Sequence, residues 1–352
     1  MRGGAKCCDI LTMEKLLTII IPTYNMETLL DHCLISLVLD TKELREKLDV
    51  IVIIDGATDR SSEIAHQYAE RYPEMFSVID KENGNYGSCI NAALPRVQGK
   101  YVRILDADDS YYTKELPAYL DVLEQQDVDL VLTDYEKVNE KGRTTCVVRL
   151  PFVAEKVFSF EELTAYEPIV MHAVAYRSNI FKRICYHQTE GVSYTDQEWI
   201  FHPMTEVHSV YYHNHIIYKY LVGRDGQTVS PQEIMKRLPH IEKGLWTMMK
   251  DYQDTSETNS AYKYMSYAIK RRTIRLYVWA FDKNATFNLV AFDKRFKCDY
   301  PLLYKKAGSY TVPVGVFNMQ MPIIKMWRRV KSKKGMYLFP LYDLHVIANR
   351  LK

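Results

Sequence analysis

Two hydrophobic rhythms alternate along the first 110 residues. Leu16-Leu17-Thr18-Ile19-Ile20-Ile21 is a continuous apolar run, the pattern of a strand covered on both faces. It stops at Pro22-Thr23-Tyr24-Asn25, a turn, after which Leu29, Leu30, Cys33, Leu34, Leu37 and Val38 recur at helical spacing. Asp49-Val50-Ile51-Val52-Ile53-Ile54 predicts a second buried strand, ending at Asp55-Gly56-Ala57-Thr58-Asp59. Asp59 is placed to cap a helix carrying Ile64, Ala65, Tyr68, Ala69 and Tyr72. Phe76-Ser77-Val78-Ile79 reads as a third strand. Asn83 to Gly87 and a short helix through Asn91-Ala92-Ala93-Leu94 lead to a fourth strand over 101–105. Strand and helix alternating four times predict βα units on a parallel sheet.

Beyond residue 110 the rhythm loosens. A helix is expected over about 114–125, a strand over 128–133 and an extended excursion over 145–160. A strand near 170–176, a helix near 178–185 and a Tyr- and His-rich strand from Val207 to Tyr220 follow, and Gly223 to Thr228 reads as a mobile loop. From about residue 231 the pattern is helical. Ile234, Leu238, Ile241, Leu245 and Met248-Met249 share one face, and a second helix is expected over 262–281. The division this predicts is an extension over 1–12, an α/β domain over 13–230 and a helical, basic region over 231–352.

Composition narrows the class without naming a reaction. The 352 residues are 47% hydrophobic and 26% charged, as in soluble globular proteins, and a net charge of +2 gives no general affinity for nucleic acid. Seven Cys form no C-x-x-C pair, which fits a reducing compartment and predicts a cytoplasmic location. No apolar run approaches the roughly 18–20 residues that span a bilayer. The last 52 residues set ten Lys/Arg against Asp343 alone, interleaved with Trp327, Met336, Tyr337, Leu338 and Phe339. Such a segment suits docking on an anionic membrane surface, or equally a solvated basic face.

The candidate chemistry centres on Tyr101 to Ile104, followed by Leu105-Asp106-Ala107-Asp108-Asp109. An apolar run stops on three carboxylates within four positions, where open α/β sheets place their ligands. Asp oxygens are hard ligands suited to Mg²⁺ or Mn²⁺ shared with phosphates. The plain alternative is an acidic turn capping the next helix. His213-Asn214-His215 puts two imidazoles on one side of a strand, but two His without a third ligand predict a structural or surface role. Lys81 and Arg103 are expected in solvated surface positions. Gly84-Asn85-Tyr86-Gly87 lacks the full Gly-x-Gly-x-x-Gly dinucleotide fingerprint, and Ser193 and Ser209 lack a nucleophile elbow.

Four segments in order resemble the family 2 glycosyltransferases, with their nucleotide-sugar-binding GT-A fold. Ile20 to Asn25 is similar to the family's first-strand signature and Ile54-Asp55-Gly56-Ala57-Thr58-Asp59 to its "DDGSTD" turn. Asn83-Gly84 through Gly87 and Asn91, with Gly99-Lys100-Tyr101, resembles its Asn/Gly segment, and Asp106-Ala107-Asp108-Asp109 its DxD motif. The resemblance spans residues 16 to about 230. It implies an α/β GT-A fold with a mostly parallel central sheet, a divalent metal and a nucleotide-sugar donor, with UDP-sugar expected. It also implies that Tyr24 stacks on the base, that Pro22 and Thr23 line that pocket and that Asp55 accepts from the base N–H. Asp106 approaches the ribose or sugar, Asp108 helps hold the metal, and Asn25, Gly87, Asn91 and Ala107 belong to the same donor side. Tyr194-Thr195-Asp196-Gln197-Glu198-Trp199 resembles the later "ED" segment, which makes Asp196 the general base of an inverting transfer, with Glu198 as its rival and a simple helix cap at Thr195-Asp196 as a compatible role.

Departures sharpen the expectation. Ile54 replaces the first Asp of the turn, Ala57 its Ser, and Thr195 the usual Glu. Gln197-Glu198-Trp199-Ile200 is not the Gln-x-x-Arg-Trp motif of processive synthases, so transfer of one sugar to a glycan acceptor, lipid-linked if the basic segment docks on a membrane, is expected. A sugar nucleotidyltransferase is the enzyme alternative, though Pro22-Thr23-Tyr24-Asn25 holds none of the glycines of its phosphate loop. A glycan-binding protein of the same fold is the other.

Overall fold

The computed structural model describes residues 15–163, 169–224, 230–282, 284–314 and 319–330. The expected 1–12 extension and residues 331–352 of the basic segment lie outside the described residues, as do 164–168 and 225–229 of the two long loops. The chain opens with β1 (Leu17–Thr23), α1 (Leu30–Ile35), α2 (Lys42–Glu46), β2 (Leu48–Asp55), α3 (Ser61–Arg71), β3 (Phe76–Lys81), α4 (Asn85–Ala93) and β4 (Tyr101–Ile104). It continues through β5 (Ser110–Tyr111), α5 (Leu116–Gln125), β6 (Leu130–Val138), β7 (Thr144–Val148), β8 (Lys156–Ser159), α6 (Phe160–Leu163), β9 (Val174–Arg177), α7 (Asn179–Arg183), α8 (Asp196–Trp199) and β10 (Ser209–Leu221). The remainder is α9 (Pro231–Lys236), α10 (Leu238–Asp254), α11 (Tyr262–Ala280), α12 (Leu289–Asp299), α13 (Pro301–Ala307), the small hairpin β11 (Val312–Val314) and β12 (Met319–Met321), and α14 (Ile323–Val330).

One ten-stranded sheet organises the molecule, in the order β3-β2-β1-β4-β9-β6-β10-β5, with β7 on β6 and β8 on β10. Pairing is parallel from β3 through β4 and again between β6 and β10, while β9 runs antiparallel between the halves. β2 is buried at every position and β1 at all but Pro22. Those strands are apolar because helices cover both faces, each buried Ile, Leu or Val contributing roughly 1.5–3 kcal/mol. At the base of the sheet, the Thr18 hydroxyl donates to Asp49 Oδ2 at 2.7 Å and accepts from Gly99 N at 2.8 Å, so the buried polar atoms are paired. Gly99 is required there, since a Cβ would stand 2.4 Å from Thr18 N.

Because β1, β2 and β4 are parallel neighbours, their C-terminal ends share one rim. The turns above it are tied together: Thr58 N donates to Asn25 Oδ1 at 2.8 Å, Met26 N to Ser61 Oγ at 2.8 Å and Glu27 N to Asp59 Oδ2 at 2.9 Å. Asp59 is not the N-cap residue of α3, which is Arg60. Its other oxygen accepts from Ser61 N at 3.0 Å, so the carboxylate serves both turns from one position earlier.

Two surface expectations are corrected. Arg103 is fully buried on β4, where Nη2 donates to His172 O at 2.6 Å and the guanidinium lies over the Tyr111 and Tyr119 rings. A strand covered on both faces leaves its side chain no route to solvent. Lys81 is an ion-pair partner of Asp55 at 2.8 Å rather than a solvated cation. In the basic segment, Trp327 is buried and Arg328 pairs with buried Asp293 at 2.7 Å. That turn therefore packs on the helical region instead of facing outward. No helix among the described residues is long and apolar enough to cross a membrane.

Candidate active site

Beyond the end of β4, Asp106, Asp108 and Asp109 bring one carboxylate oxygen each within 4.8 Å of one another. The three differ in their partners. Asp106 Oδ1 accepts from the Tyr86 hydroxyl at 2.8 Å. Burial, then the neighbouring Asp108 charge, pushes the Asp106 carboxyl up to about 7. Asp108 Oδ2 accepts from Arg224 Nε at 2.8 Å and Nη2 at 2.7 Å. Asp109 is buried and spends both oxygens on β10, accepting from Tyr218 OH at 2.5 Å and Leu221 N at 2.7 Å. Burial and its two acidic neighbours raise it well above the ordinary range. Three crowded carboxylates that share one guanidinium, two of them pushed up by burial and by each other, fit a divalent cation. Asp106 and Asp108 are the better placed to hold it, Asp109 being committed to the sheet.

The residues expected around the nucleotide divide into two groups. Tyr24 stands at the end of β1 with 50% of its surface exposed, open to stacking. Asp55, at the end of β2, is buried and its Oδ1 accepts from Lys81 and from Gly84 N at 2.9 Å. Asn25 holds the Thr58 turn from a left-handed conformation, φ 51°. Thr23 is buried with its hydroxyl turned to Ile21 O at 3.2 Å, and Ala107 is buried. Gly87 and Asn91, expected on the donor side, touch the segment before α8. A Cβ on Gly87 would meet Thr189 O at 2.1 Å, so α4 seats directly against that backbone. The Asn91 side chain donates to Gln188 O at 2.9 Å and accepts from Gln188 N at 2.8 Å. Both residues position the chain that leads to Asp196.

Asp196 opens α8 after Tyr194, a non-glycine residue held at φ 67°. Its Oδ2 accepts from Gln197 Nε2 at 2.7 Å, and burial raises its carboxyl, with Arg272 and Arg275 acting in the opposite direction. Thr195 makes no side-chain cap. Asp196 lines a cavity of about 1010 Å³ bounded by the ends of β6 and β10, the Gly223-Arg224 turn, α8 and α11. The rival Glu198 does not line it: Oε2 accepts from Thr189 N at 2.8 Å and Oε1 is buried without a partner.

Several residues here escaped the sequence. Tyr86 is joined to Asp106 and shares an electrostatic environment with Asp196. Arg224 sat in what read as a loop, beside a glycine. Arg271, Arg272 and Arg275 were hidden in an apolar helix, although arginine at i, i+1 and i+4 within such a helix was a signal. His172 stacks on Tyr220 at 4.3 Å, and burial lowers it to about 3, so it is a neutral imidazole. Elsewhere, the stacked pair His213 and His215 gains a third candidate ligand that the sequence did not offer. Glu155 lies 3.0 Å from His213 Nδ1, with the three ligand atoms within 4.8 Å.

Residues 18–185 match the family model described as glycosyl transferase family 2. The chain is 30% identical over 152 residues to the uncharacterized glycosyltransferase EpsJ of Bacillus subtilis, covering 43% of this chain and 42% of that protein. It is 26% identical over 227 residues to an uncharacterized glycosyltransferase of Rickettsia typhi, covering 62% of this chain and 67% of the other. It thus spans well under half the length of the first relative. Among solved structures, S. aureus TarS 1–349 in complex with UDP-GlcNAc shares the fold with a TM-score of 0.53 at 17% identity, over 82% of this chain and 77% of that one. A Pyrobaculum calidifontis mannosyltransferase in complex with GDP-Man and Mn²⁺ gives 0.52 at 15% identity, over 96% and 87%.

Proposed function

We infer, for a chain whose residues 18–185 match the glycosyl transferase family 2 model, that it is an inverting transferase moving one sugar from a nucleotide-sugar donor, UDP-linked, to a hydroxyl of a glycan acceptor. The observation that carries this reading is the Asp106–Asp108–Asp109 cluster on a shared strand rim, electrostatically coupled to Asp196 in the adjoining cavity. The GT-A relatives bound to UDP-GlcNAc and to GDP-Man with Mn²⁺ are consistent with it.

In this mechanism Tyr24 stacks on the base and Asp55, fixed by Lys81, accepts from its ring N–H. Tyr86 orients Asp106 beside the ribose or donor sugar. Asp196 takes the proton of the acceptor hydroxyl as that oxygen attacks the anomeric carbon. The bond from that carbon to the diphosphate breaks, the electron pair leaves with the nucleoside diphosphate, and configuration inverts. Asp108 and Asp106 would hold a divalent cation, Mn²⁺ or Mg²⁺, which when bound would neutralise charge on the leaving diphosphate. A raised carboxyl suits Asp196 as a base working near neutral pH. Residues 13–230 form the transferase unit in this reading, with α11 closing the acceptor side. Docking on the cytoplasmic membrane face would use the exposed Lys305, Lys325 and Arg329 with residues 331–352, since Trp327 is buried and Arg328 is paired with Asp293.

The test is release of UDP from a panel of UDP-sugars with Mn²⁺ or EDTA, without added acceptor. Slow hydrolysis of one donor, abolished by EDTA and by Asp108→Ala, supports the reading. Pyrophosphate formation from UTP and a sugar 1-phosphate would instead make the protein a nucleotidyltransferase.

A further inference from the structure

The cavity that holds Asp196 is too basic for a neutral sugar alone. Among the described residues its walls carry Lys137, Arg224, Arg271, Arg272 and Arg275 against two carboxylates, Asp196 and Glu233. Glu233 is already engaged by Lys236 and Arg237, and Arg224 by Asp108. Apart from Lys137 on β6, the other cations of the wall, Arg271, Arg272 and Arg275, all stand on α11. Tyr264, Ala268, Arg271, Arg272 and Arg275 fall at i, i+4, i+7, i+8 and i+11, one face of that helix, and all five line the cavity.

Arg272 and Arg275 make no ion pair among the described residues, and Arg275 Nε is buried without a hydrogen-bond partner. Burial lowers Arg272 to about 10, with Asp196 opposing that and Arg275 adding to it. Two guanidinium groups half-buried on one helix face, each raising the cost of the other's charge, are unfavourable unless something anionic answers them. Asp196 is near both, but a single carboxylate that must also accept a proton is not a sufficient partner for two fixed charges.

We propose that the acceptor carries an oxyanion, a phosphate or a carboxylate, close to the hydroxyl that reacts, and that Arg272 and Arg275 on α11 bind it. The proposal rests on Asp196 being the base of the transfer. The planar donor forks of arginine match both kinds of oxyanion. The cavity lining includes Asp196 but none of Tyr24, Asp55, Asp106 and Asp108, which puts these arginines on the side of the base rather than of the nucleotide and favours the acceptor as the source of the anion. The site thus selects an acidic or phosphodiester-linked glycan over a neutral one, placing the enzyme after a reaction that installs the acidic group.

The experiment titrates the full chain, saturated with UDP and Mn²⁺, with glycerol 3-phosphate, glucuronate and glycerol by calorimetry. One of the two anions is expected to bind at least tenfold more tightly than glycerol, and which one does so identifies the oxyanion. Arg272→Gln and Arg275→Gln should each weaken it tenfold or more, and Arg275→Lys less, because the charge stays while the fork is lost. Melting curves establish that the variants are folded. The proposal is overturned if neither anion binds, if folded Arg→Gln variants bind like the parent, or if UDP displaces the anion, which would assign these arginines to the leaving diphosphate. Should UDP itself fail to bind while the anion still binds through Arg275, the transferase reading fails and the acceptor role falls with it, leaving an anion site of another kind.

Discussion

Arg224 clamps Asp108 from outside the sheet, Nε at 2.8 Å and Nη2 at 2.7 Å from the same carboxylate oxygen. Both side chains are largely shielded from water, so the pair is stronger than an exposed one. It joins the turn after β10 to the acidic rim, and a metal ion bound at Asp108 would compete with this guanidinium for one oxygen.

Removing that competitor should favour the metal. Arg224→Ala is expected to bind Mn²⁺ several-fold more tightly than the parent without nucleotide, on the order of 1 kcal/mol. Asp108→Asn should lose most of the affinity. Titration followed by Mn²⁺ electron paramagnetic resonance checks both. Weaker binding in Arg224→Ala would show that the clamp organises Asp108 for the metal rather than withholding it.

The acidic rim also makes metal binding depend on pH. Burial, with Asp108 second, raises the Asp106 carboxyl from 3.8 to about 7. The folded state therefore binds this proton more tightly than the unfolded chain does. Its contribution to stability is greatest below about 4 and is lost as pH rises to about 7. Mn²⁺ must displace the proton, so its affinity should fall roughly tenfold per pH unit below 7 and level off above. Tyr86→Phe removes a hydrogen bond that favours the charged carboxylate and should move the levelling point upward.

Asp196 and Glu198 separate by which observable moves. Asp196→Asn should lower kcat by about 10²–10⁴ with donor KM little changed. Glu198→Ala deprives Thr189 N–H of its acceptor inside the protein and should cost about 1–3 kcal/mol of stability. Steady-state kinetics beside thermal unfolding decide this. A larger kcat loss in the Glu198 variant would transfer the base assignment to that residue.

Gly87→Ala tests the seat of the segment before α8. The added methyl carbon would stand 2.1 Å from Thr189 O, and neither backbone can yield without moving the other. A loss of about 1–3 kcal/mol is expected, with activity reduced through displacement of the chain leading to Asp196. Unchanged melting and turnover would mean that α4 slides freely against residue 189.

Much of this was legible in the chain. The unbroken apolar runs of β1 and β2 announced strands covered on both faces, because such runs have no polar side to give to water. The acidic stop after Ile104 announced the rim, because a parallel strand that ends in carboxylates presents them at its C-terminal edge. The order of the four motif-like segments placed Tyr24, Asp55, Asp106 and Asp108 on that rim, where their strands and turns bring them.

What the chain could not show was which side chains answer each other across it. Arg103 looked like a surface cation until β9 and α5 closed over β4. That the backbone of residues 188 and 189 rests on Gly87 and Asn91 had no signal in the chain. The basic face of α11 lies roughly 75 residues from Asp196, and nothing local ties the two together. Hydrophobic periodicity and turn chemistry are near-neighbour properties, so the sequence alone determined the strands, the helices and the acidic edge. Charge pairing depends on distance through space, so only the tertiary structure decided that Arg224 meets Asp108, and that two arginines with no ion-pair partner among the described residues stand beside the carboxylate expected to do the chemistry.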